Sequence, residues 1–440
     1  MKVFFVSLGC DKNSVDSEVM LGSLLEAGYE FTNDEEEADV AVVNTCCFIN
    51  DAKEESIETI ISLGELKKEG KLKALVITGC LGQRYKDEIH SELPEVDAIV
   101  GISSIDNIVK VVNDVLNNNS KDVIEPLDKP VFGNKKRVIT TGGYYDYLKI
   151  AEGCDKHCTY CVIPKVRGPY RSIPMEDLVN EAKGLSKRGV KELILVAQET
   201  TLYGVDLYNK KCLPELLHKI CEIDGIEIIR ILYLYPEEIT DELIECIATE
   251  EKIANYVDIP IQSGSDKILK LMGRKTSRKD IYDLVSKLRG KIPDISLRTT
   301  LITGFPDESE SDFEDSVRLV KDLEFDRLGV FTYSQEENTP AASMDNQIDE
   351  EIKEKRREEI MLLQQSITFS KNQSMVGRKL DAIVEGSIPE DGIYVGRTYR
   401  DVPDVDGYLF INSEKELMSG DIVKVLITEA NDYDLVGDVL

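Results

Sequence analysis

Three cysteines within eight residues constrain this chain more than any other feature of its sequence. Cys154, Cys158 and Cys161 follow the spacing Cys-x3-Cys-x2-Cys. Thiolates this close in sequence can bind one face of a cubane iron–sulfur cluster, which normally takes four cysteine ligands. With only three, one iron keeps an open coordination position, and an open position is where a metal centre binds a reactant. The spacing therefore predicts a cluster that takes part in chemistry.

Other roles for this loop trio (Cys154, Cys158 and Cys161) stay open. His157 lies inside the run, so a Cys3His zinc site is an alternative. Because His157 directly precedes Cys158, and adjacent side chains seldom both reach one tetrahedral ion, we interpret it as a loop residue. A disulfide would leave one cysteine over. The spacing resembles that of the radical S-adenosylmethionine (SAM) superfamily, which implies that the open iron binds SAM and that an electron from the cluster cleaves it to a 5′-deoxyadenosyl radical.

A second set, the N-terminal trio, consists of Cys10, Cys46 and Cys80, each of which follows an apolar run of strand length. Helical patterns separate the runs, and strands that alternate with helices form a parallel sheet whose ligands bind beyond the carboxyl ends of the strands. We therefore expect this trio at one sheet edge, where it could hold a second cluster with an open iron. Three unrelated buried cysteines are the alternative. Cys47, beside Cys46, is a spare thiol whose role stays open.

The rest of the chain predicts two further domains after a first domain at 1–116. Residues 117–137 are polar and show no periodicity, which indicates a linker. From 138 to 372, six apolar runs alternate with helical patterns, which predicts an α/β architecture with a partial (β/α)6 barrel and a site at the carboxyl ends of its strands. From 373 to 440, short alternating runs separated by turns predict a small antiparallel β-barrel of about five strands.

The charge of the chain disfavours a nucleic-acid substrate. The formal net charge is -30, and residues 374–440 carry six basic against 14 acidic side chains. Affinity for a phosphate backbone comes largely from lysine and arginine, so we expect no direct nucleic-acid binding and a basic partner instead. No apolar run has the length of a membrane span or of a signal-peptide core. We therefore expect a cytoplasmic protein without membrane contact.

Three stretches of the first domain resemble the cluster motifs of the methylthiotransferases of the radical SAM superfamily. They are LGCDKNSVDSE at 8–18, VNTC at 43–46 and TGCLGQRY at 78–85. With the loop trio and a final segment that looks like the family's TRAM domain, the resemblance covers almost the whole chain. It implies two 4Fe-4S clusters, one on each trio, and SAM as both radical source and methyl donor. No catalytic side chain is expected beyond the cluster ligands.

Two branches of this family differ in substrate. One modifies an adenosine of transfer RNA, and the other modifies the β-carbon of an aspartate in ribosomal protein S twelve of the small subunit. The stretches that look like the second branch lie at 258–260, 298–300, 325–334 and 403–407. The acidic charge agrees with this branch, whereas QSGS at 262–265 looks like the first and keeps transfer RNA as the alternative. We expect ribosomal protein S twelve and a low-potential electron donor as partners.

Candidate SAM contacts lie at the predicted ends of the barrel strands. The stretch 300–308 is similar to the superfamily's Gly-x-Ile-x-Gly-x3-Glu pattern, with threonine at the first glycine; a strand-to-helix turn capped by Glu308 is the alternative interpretation. Strand ends elsewhere in the barrel belong to the site by the same logic. The candidates are Gln198, Asp258, Arg298, Thr300 and Gly304.

Overall fold

The computed structural model describes residues 1–133, 135–389 and 392–440. Asn134, in the predicted linker, and Glu390 and Asp391, in the final segment, lie outside this description. The three predicted units follow one another along the chain: a parallel sheet domain, a barrel of parallel strands and a small closed β-barrel. The fold class expected from the sequence is therefore confirmed.

The first domain is a five-stranded parallel sheet between two layers of helices. Its strand order is β2-β1-β3-β4-β5. Every residue of β3 and β4 is buried, as expected for central parallel strands covered on both faces. The elements are β1 Lys2–Ser7, α1 Asp11–Glu26, β2 Glu30–Phe31, β3 Val40–Thr45, α2 Asn50–Lys68, β4 Ala74–Thr78, α3 Gly79–Arg84, α4 Ile89–Glu92, β5 Ala98–Val100 and α5 Ile108–Leu116.

The central domain has six parallel strands arranged as two three-stranded sheets, with helices outside. The orders are β10-β9-β6 and β11-β12-β13, and an isolated parallel bridge pairs Ile229 of the first sheet with Ile253, three residues before β11. The elements are β6 Tyr145–Lys149, β7 Ala151–Glu152, α6 Ile163–Val166, β8 Arg171–Ser172, α7 Met175–Lys187, β9 Glu192–Val196, α8 Val205–Tyr208, α9 Leu213–Cys221, β10 Ile228–Ile231, α10 Asp241–Thr249, β11 Tyr256–Gln262, α11 Asp266–Leu271, α12 Arg278–Lys291, β12 Ser296–Thr303, α13 Glu310–Leu323, β13 Arg327–Thr332 and α14 Glu350–Gln373.

Side chains of the barrel strands alternate between the helix layer and the interior. In β9, Leu193 and Leu195 pack in the cluster that contains the helices, whereas Ile194 and Val196 pack with Tyr256 in a separate interior cluster. The alternation follows from the period of two along a strand. Val402 of the last domain belongs to the interior cluster. The last domain therefore closes the barrel near the amino ends of its strands and leaves the opposite end to the cysteine loop.

Helix α14 connects the barrel to the last domain. Its 24 residues lie against β13, and Gln364 donates a hydrogen bond of 2.7 Å to the carbonyl oxygen of Phe325. The apolar stripe that predicts this helix contains Ile360, which is fully buried. Within the described parts of the chain, no helix combines the length and apolar character needed to cross a bilayer.

The last domain is a closed five-stranded barrel with the order β14-β15-β16-β18-β17. Four of its five strand pairings are antiparallel, as the sequence predicts, but β16 and β18 pair in parallel. Hydrophobic alternation does not encode strand direction, so this pairing could not be predicted. The elements are β14 Lys379–Ile388, β15 Ile393–Thr398, β16 Leu409–Asn412, β17 Ile422–Ala430 and β18 Leu435–Val439.

A buried ion network fixes the last domain to the barrel. Glu192 is fully buried, accepts a hydrogen bond of 2.9 Å from Nε of Arg230 and pairs with Arg397. Burial raises the pKa of Glu192, but the positive charges of Arg397 and Arg230 outweigh this effect and lower it. Arg397 also pairs with Glu385 at 2.6 Å, whereas Glu192 is the carboxylate that pairs with Arg230 among the described residues. Removal of the negative charge of Glu192 would therefore leave Arg230 buried without a counter-charge at the contact between the two domains.

We expect Glu192→Gln to reduce the free energy of unfolding by about 3–5 kcal/mol, because it leaves Arg230 buried without a counter-charge. The measurement is guanidinium unfolding, followed at the transition that reports the last domain. Lys424→Gln is the control: Lys424 and Asp381 pair at 2.9 Å with both side chains more than half exposed, and such pairs contribute about 0–1 kcal/mol. Equal destabilisation by the two substitutions would contradict the prediction.

Candidate functional site

The loop trio lies between β7 and α6, at the carboxyl end of the barrel. Cys154 follows Glu152 and Gly153, and Gly153 has φ +79°, a left-handed conformation that glycine adopts readily. A Cβ atom at Gly153 would lie 2.0 Å from the carbonyl oxygen of Pro169. The backbone N–H of Cys154 donates a 3.2 Å hydrogen bond to the carbonyl oxygen of Gly168. The chain therefore doubles back tightly here, and this turn fixes the start of the cysteine loop.

The thiols of this trio interact electrostatically with one another and are largely enclosed. Burial raises the pKa of Cys154 and of Cys161 to about 12, and the Cys158 thiol adds to both shifts. A thiol with such a pKa keeps its proton near neutral pH unless a metal replaces it, because a coordinated thiol is deprotonated outright. Three enclosed thiols of one loop, without acidic ligands among them, fit the donor set of an iron–sulfur cluster.

The N-terminal trio gathers at the carboxyl edge of the first sheet, as the sequence predicts. Cys10 caps α1, Cys46 follows β3, and Cys80 lies in the first turn of α3. A Cβ at Gly9, where φ is +94°, would lie 3.0 Å from Sγ of Cys46. Burial raises the pKa of Cys80 to about 12, with smaller contributions from the other two thiols. The sheet edge therefore holds the three side chains within electrostatic range of one another.

Asn13 organises this edge. Its side-chain amide donates to the carbonyl oxygens of Leu8 and Thr45, at 2.9 and 3.0 Å, and its Oδ1 lies 3.8 Å from Sγ of Cys80. The neighbouring Cys47 is buried in the hydrophobic cluster that contains Cys80, and burial raises its pKa to about 11. The amide thus ties together the segments that carry all three cysteines of the trio.

A buried arginine joins residues next to the two trios across the domain interface. Arg167 donates to Oδ2 of Asp16 at 2.8 Å, to Oε2 of Glu152 at 3.0 Å and to Oδ1 of Asn13. Asn13 touches the N-terminal trio, and Glu152 lies two residues before Cys154. Lys149 completes the network by pairing with Glu152 at 2.8 Å and with Asp16. Residues next to each set of cysteines therefore meet at the interface between the first domain and the barrel.

Sequence reasoning missed Arg167, and no signal in the sequence could have found it. The residue lies in a short helical turn without periodicity, and its partners are up to 154 positions away in the chain.

In the described portion of the chain, no three His, Cys, Asp or Glu side chains are arranged to hold a single metal ion.

Three of the predicted SAM contacts lie in the barrel interior or at its rim. Gln198 donates from Nε2 to Oε1 of Glu152 at 2.8 Å, which places it beside the network described above. Asp258 and Arg298 pair with each other at 3.0 Å, and Nε of Arg298 lies 3.4 Å from Asp406 of the last domain. Gln198 therefore lies next to the cysteine loop, whereas the Asp258–Arg298 pair lies next to a loop of the last domain.

The other two candidates lie on β12 and just after it. Thr300 is partly exposed on β12. Gly304 has φ +70°, and its N–H donates to Oε1 of Glu308 at 3.0 Å. A Cβ at Gly304 would lie 2.1 Å from Cγ of Lys353 in α14. These contacts explain Gly304 by close packing and by the strand-to-helix turn, so its contact with SAM stays a prediction.

This architecture and this pair of cysteine sites define a radical SAM enzyme of three domains. Family models match the three parts: uncharacterized protein family UPF0004 at residues 2–101, the radical SAM superfamily at 148–320 and the TRAM domain at 376–440.

Full-length relatives narrow the class to one family. The chain is 60% identical over 437 residues to the ribosomal protein uS12 methylthiotransferase RimO of Lachnoclostridium phytofermentans, with 99% of each chain covered. It is 51% identical to the protein of the same name from Acetivibrio thermocellus, over 100% of this chain and 98% of that one. The chain belongs to the RimO family of methylthiotransferases.

Solved structures agree at the level of the fold. The radical SAM methyltransferase TsrM of Kitasatospora setae, with a tryptophan substrate and a SAM analogue bound, matches with a TM-score of 0.58 and 13% sequence identity. The match covers 88% of this chain and 79% of that one. At this identity the likeness concerns only the arrangement of the domains.

Proposed function

We propose that this protein adds a methylthio group to the β-carbon of an aspartate in ribosomal protein S twelve. The observation that carries the proposal is the buried contact of Arg167 with Asn13, beside the N-terminal trio, and with Glu152, at the start of the cysteine loop. The resemblance to the methylthiotransferases implies a 4Fe-4S cluster on each trio. With one cluster on the loop trio and one on the N-terminal trio, the radical source and the sulfur source would lie on either side of one substrate.

When bound, the cluster on the loop trio would supply the electron that cleaves SAM, and the cluster on the N-terminal trio would present the sulfur that is methylated and transferred. The C–H bond of a β-carbon is not acidic enough for a side-chain base, so the protein contributes position and exclusion of water. Arg167 and its partners Asp16 and Glu152 are 1–4% exposed, so water has little access to this part of the interface. A low-potential electron donor in the cytoplasm would complete the system.

Gln198 is the candidate SAM contact that the structure favours. Its Nε2 is engaged by Glu152, whereas its Oε1 is buried and has no hydrogen-bond partner among the described residues. A buried acceptor without a partner is costly unless a ligand satisfies it. We therefore assign this oxygen to a donor group of SAM. Asp258 and Arg298, which satisfy each other, would instead line the interior, together with the partly exposed Thr300.

Lys12 is the residue that we propose to bind the side chain of the substrate aspartate. It lies two residues after Cys10, is 7% exposed, and its Nζ lies 3.4 Å from the ring centroid of Tyr233 and 2.8 Å from Asp11. Burial lowers the pKa of Lys12, but the negative charge of Asp11 outweighs this effect and raises it. The group is therefore an ammonium with three donors. Such a donor beside the N-terminal trio would receive the carboxylate of the substrate aspartate.

Lys12→Gln should lower kcat/KM for a peptide from S twelve by about 10–150-fold, since hydrogen bonds to charged groups contribute about 1.5–3 kcal/mol. The variant should still form 5′-deoxyadenosine. Replacing the target aspartate of the peptide by asparagine should reduce the rate with the parent enzyme but cost little further with the variant. Lys67→Gln, which breaks a pair with Asp97 in the first domain, is the control. An undiminished preference for aspartate in the Lys12 variant would refute this role.

The proposed function is tested by incubating the anaerobically reconstituted protein with SAM, a reductant and small-subunit proteins. Mass spectrometry should show a methylthio increment on one aspartate of S twelve. Transfer RNA is assayed in parallel, because an adenosine of transfer RNA is the alternative substrate. Modification of the RNA, or of no substrate despite SAM cleavage, would overturn the proposal.

A further inference from the structure

Arg274, a residue outside the predicted site, is buried with too few partners. It lies in the turn between α11 and α12 and is 7% exposed. Its Nη2 donates to the carbonyl oxygen of Pro260 at 2.6 Å. Across the residues that the structure describes, Nε and Nη1 have no hydrogen-bond partner, and the carboxylate of Glu237 acts on the guanidinium through its charge without forming a salt bridge. Because such a group costs several kcal/mol when unpaired, it indicates a partner from outside the chain.

The turn that carries Arg274 is pressed against the cysteine loop. Thr159 donates from its backbone N–H to the carbonyl oxygen of Met272 at 2.9 Å and from its hydroxyl to that of Leu271 at 2.8 Å. A Cβ at Gly273 would lie 3.8 Å from Cα of Cys158. These contacts hold the residue just before Arg274 against the loop trio.

An aromatic ring joins Arg274 to a thiol of the loop trio. Cζ of Arg274 lies 4.3 Å from the ring centroid of Tyr235, and Oη of Tyr235 lies 3.8 Å from Sγ of Cys158. The guanidinium therefore lies beside the part of the loop that carries the sulfur ligands.

Lys156 lies against the same tyrosine ring, but carboxylates of the chain form ion pairs with it. Its Nζ lies 4.9 Å from the ring centroid of Tyr235 and has Glu199 at 3.7 Å and Glu237 at 3.5 Å, as well as Glu238 at 2.5 Å. Arg274 makes no such pair in the described chain. Nε and Nη1 of Arg274 therefore leave two N–H groups for acceptors that the described residues do not supply.

We propose that Arg274 donates its two free N–H groups to sulfur atoms of the cluster on the loop trio and thereby stabilises the reduced, more negative state of that cluster. This inference rests on the proposed function, because it requires a cluster at that trio. Hydrogen bonds to the sulfurs and nearby charge both tune the potential of an iron–sulfur cluster. A positive, donating neighbour makes the addition of one electron easier, so Arg274 sets how readily the donor reduces the cluster.

The test compares Arg274→Gln and Arg274→Lys with the control Arg278→Gln, which removes an arginine paired with Asp315 at 2.7 Å. All are made in a full-length chain whose N-terminal trio is replaced by alanine, so that only one cluster titrates. The midpoint potential is measured without SAM by redox titration with electron paramagnetic resonance. We expect a more negative midpoint for Arg274→Gln, a smaller shift for Arg274→Lys and none for the control.

A second readout follows the protons themselves. Electron–nuclear double resonance in deuterated and ordinary water should show exchangeable protons coupled to the reduced cluster, and Arg274→Gln should lose some of these couplings. Unchanged potential and couplings at equal iron content would overturn the inference, as would a change in SAM affinity alone. If Arg274→Gln takes up no iron, the lysine variant decides by the same criteria. Failure of the parent loop trio to bind iron would instead overturn the proposed function.

Discussion

Replacing the N-terminal trio (Cys10, Cys46 and Cys80) by alanine is expected to yield a protein that cleaves SAM but transfers no methylthio group. The three thiols meet at the edge of the first sheet, whereas the loop trio belongs to the barrel and keeps all its own ligands. Iron should fall from about eight to about four atoms per chain, as expected when one of two 4Fe-4S clusters is lost. The measurements are iron analysis, 5′-deoxyadenosine formation and mass spectrometry of the substrate.

The chain offers a matched control with the same number of thiols removed. Cys212, Cys221 and Cys246 lie in or against the hydrophobic core of the barrel, away from both trios. Their replacement by alanine should leave the iron content and the methylthio transfer unchanged. Cys47→Ala tests the spare thiol in the same way. Loss of 5′-deoxyadenosine formation in the N-terminal variant would show that the two cysteine sets do not act separately.

Much of the fold follows from local patterns. Apolar runs of strand length followed by cysteines 36 and 34 positions apart predict repeated βα units, and the structure places Cys10, Cys46 and Cys80 at one edge of a parallel sheet. Spacing is informative here because chain topology puts every strand end on the same side. The direction of β18 relative to β16 could not be predicted, since both directions share one alternation of side chains.

The parts of the site that could not be predicted are those built from distant polar partners. Arg167 donates hydrogen bonds to Asn13 and Asp16, which are more than 150 positions away in the chain. Arg274 stands out because two of its buried nitrogen atoms have no hydrogen-bond partner among the described residues. Neither arrangement leaves a periodic trace in the sequence. A short pattern can also fit for another reason: Gly304 satisfies the superfamily pattern, yet its contacts with Lys353 and Glu308 are those of a packed turn. The cysteines were predictable because their chemistry dictates their spacing.

Replacing the loop trio by alanine should abolish 5′-deoxyadenosine formation and methylthio transfer together, because the other cysteines of the described barrel, Cys212, Cys221 and Cys246, lie in or against its hydrophobic core. The same variant should keep about four iron atoms on the N-terminal trio. Absorption spectra and iron analysis after anaerobic reconstitution measure the first effect, and product analysis measures the second. Retained cleavage of SAM by this variant would remove the basis of the proposed function.

His157→Asn is the matched variant within the same loop, and it separates iron–sulfur chemistry from the Cys3His zinc alternative. His157 has φ +52°, a left-handed conformation that asparagine tolerates better than most residues, so the loop should keep its shape. If only the cysteines bind metal, iron content and 5′-deoxyadenosine formation should match those of the parent protein. If the imidazole is a zinc ligand, the substitution should release zinc, and the loop trio would then be a structural site with no open position for SAM.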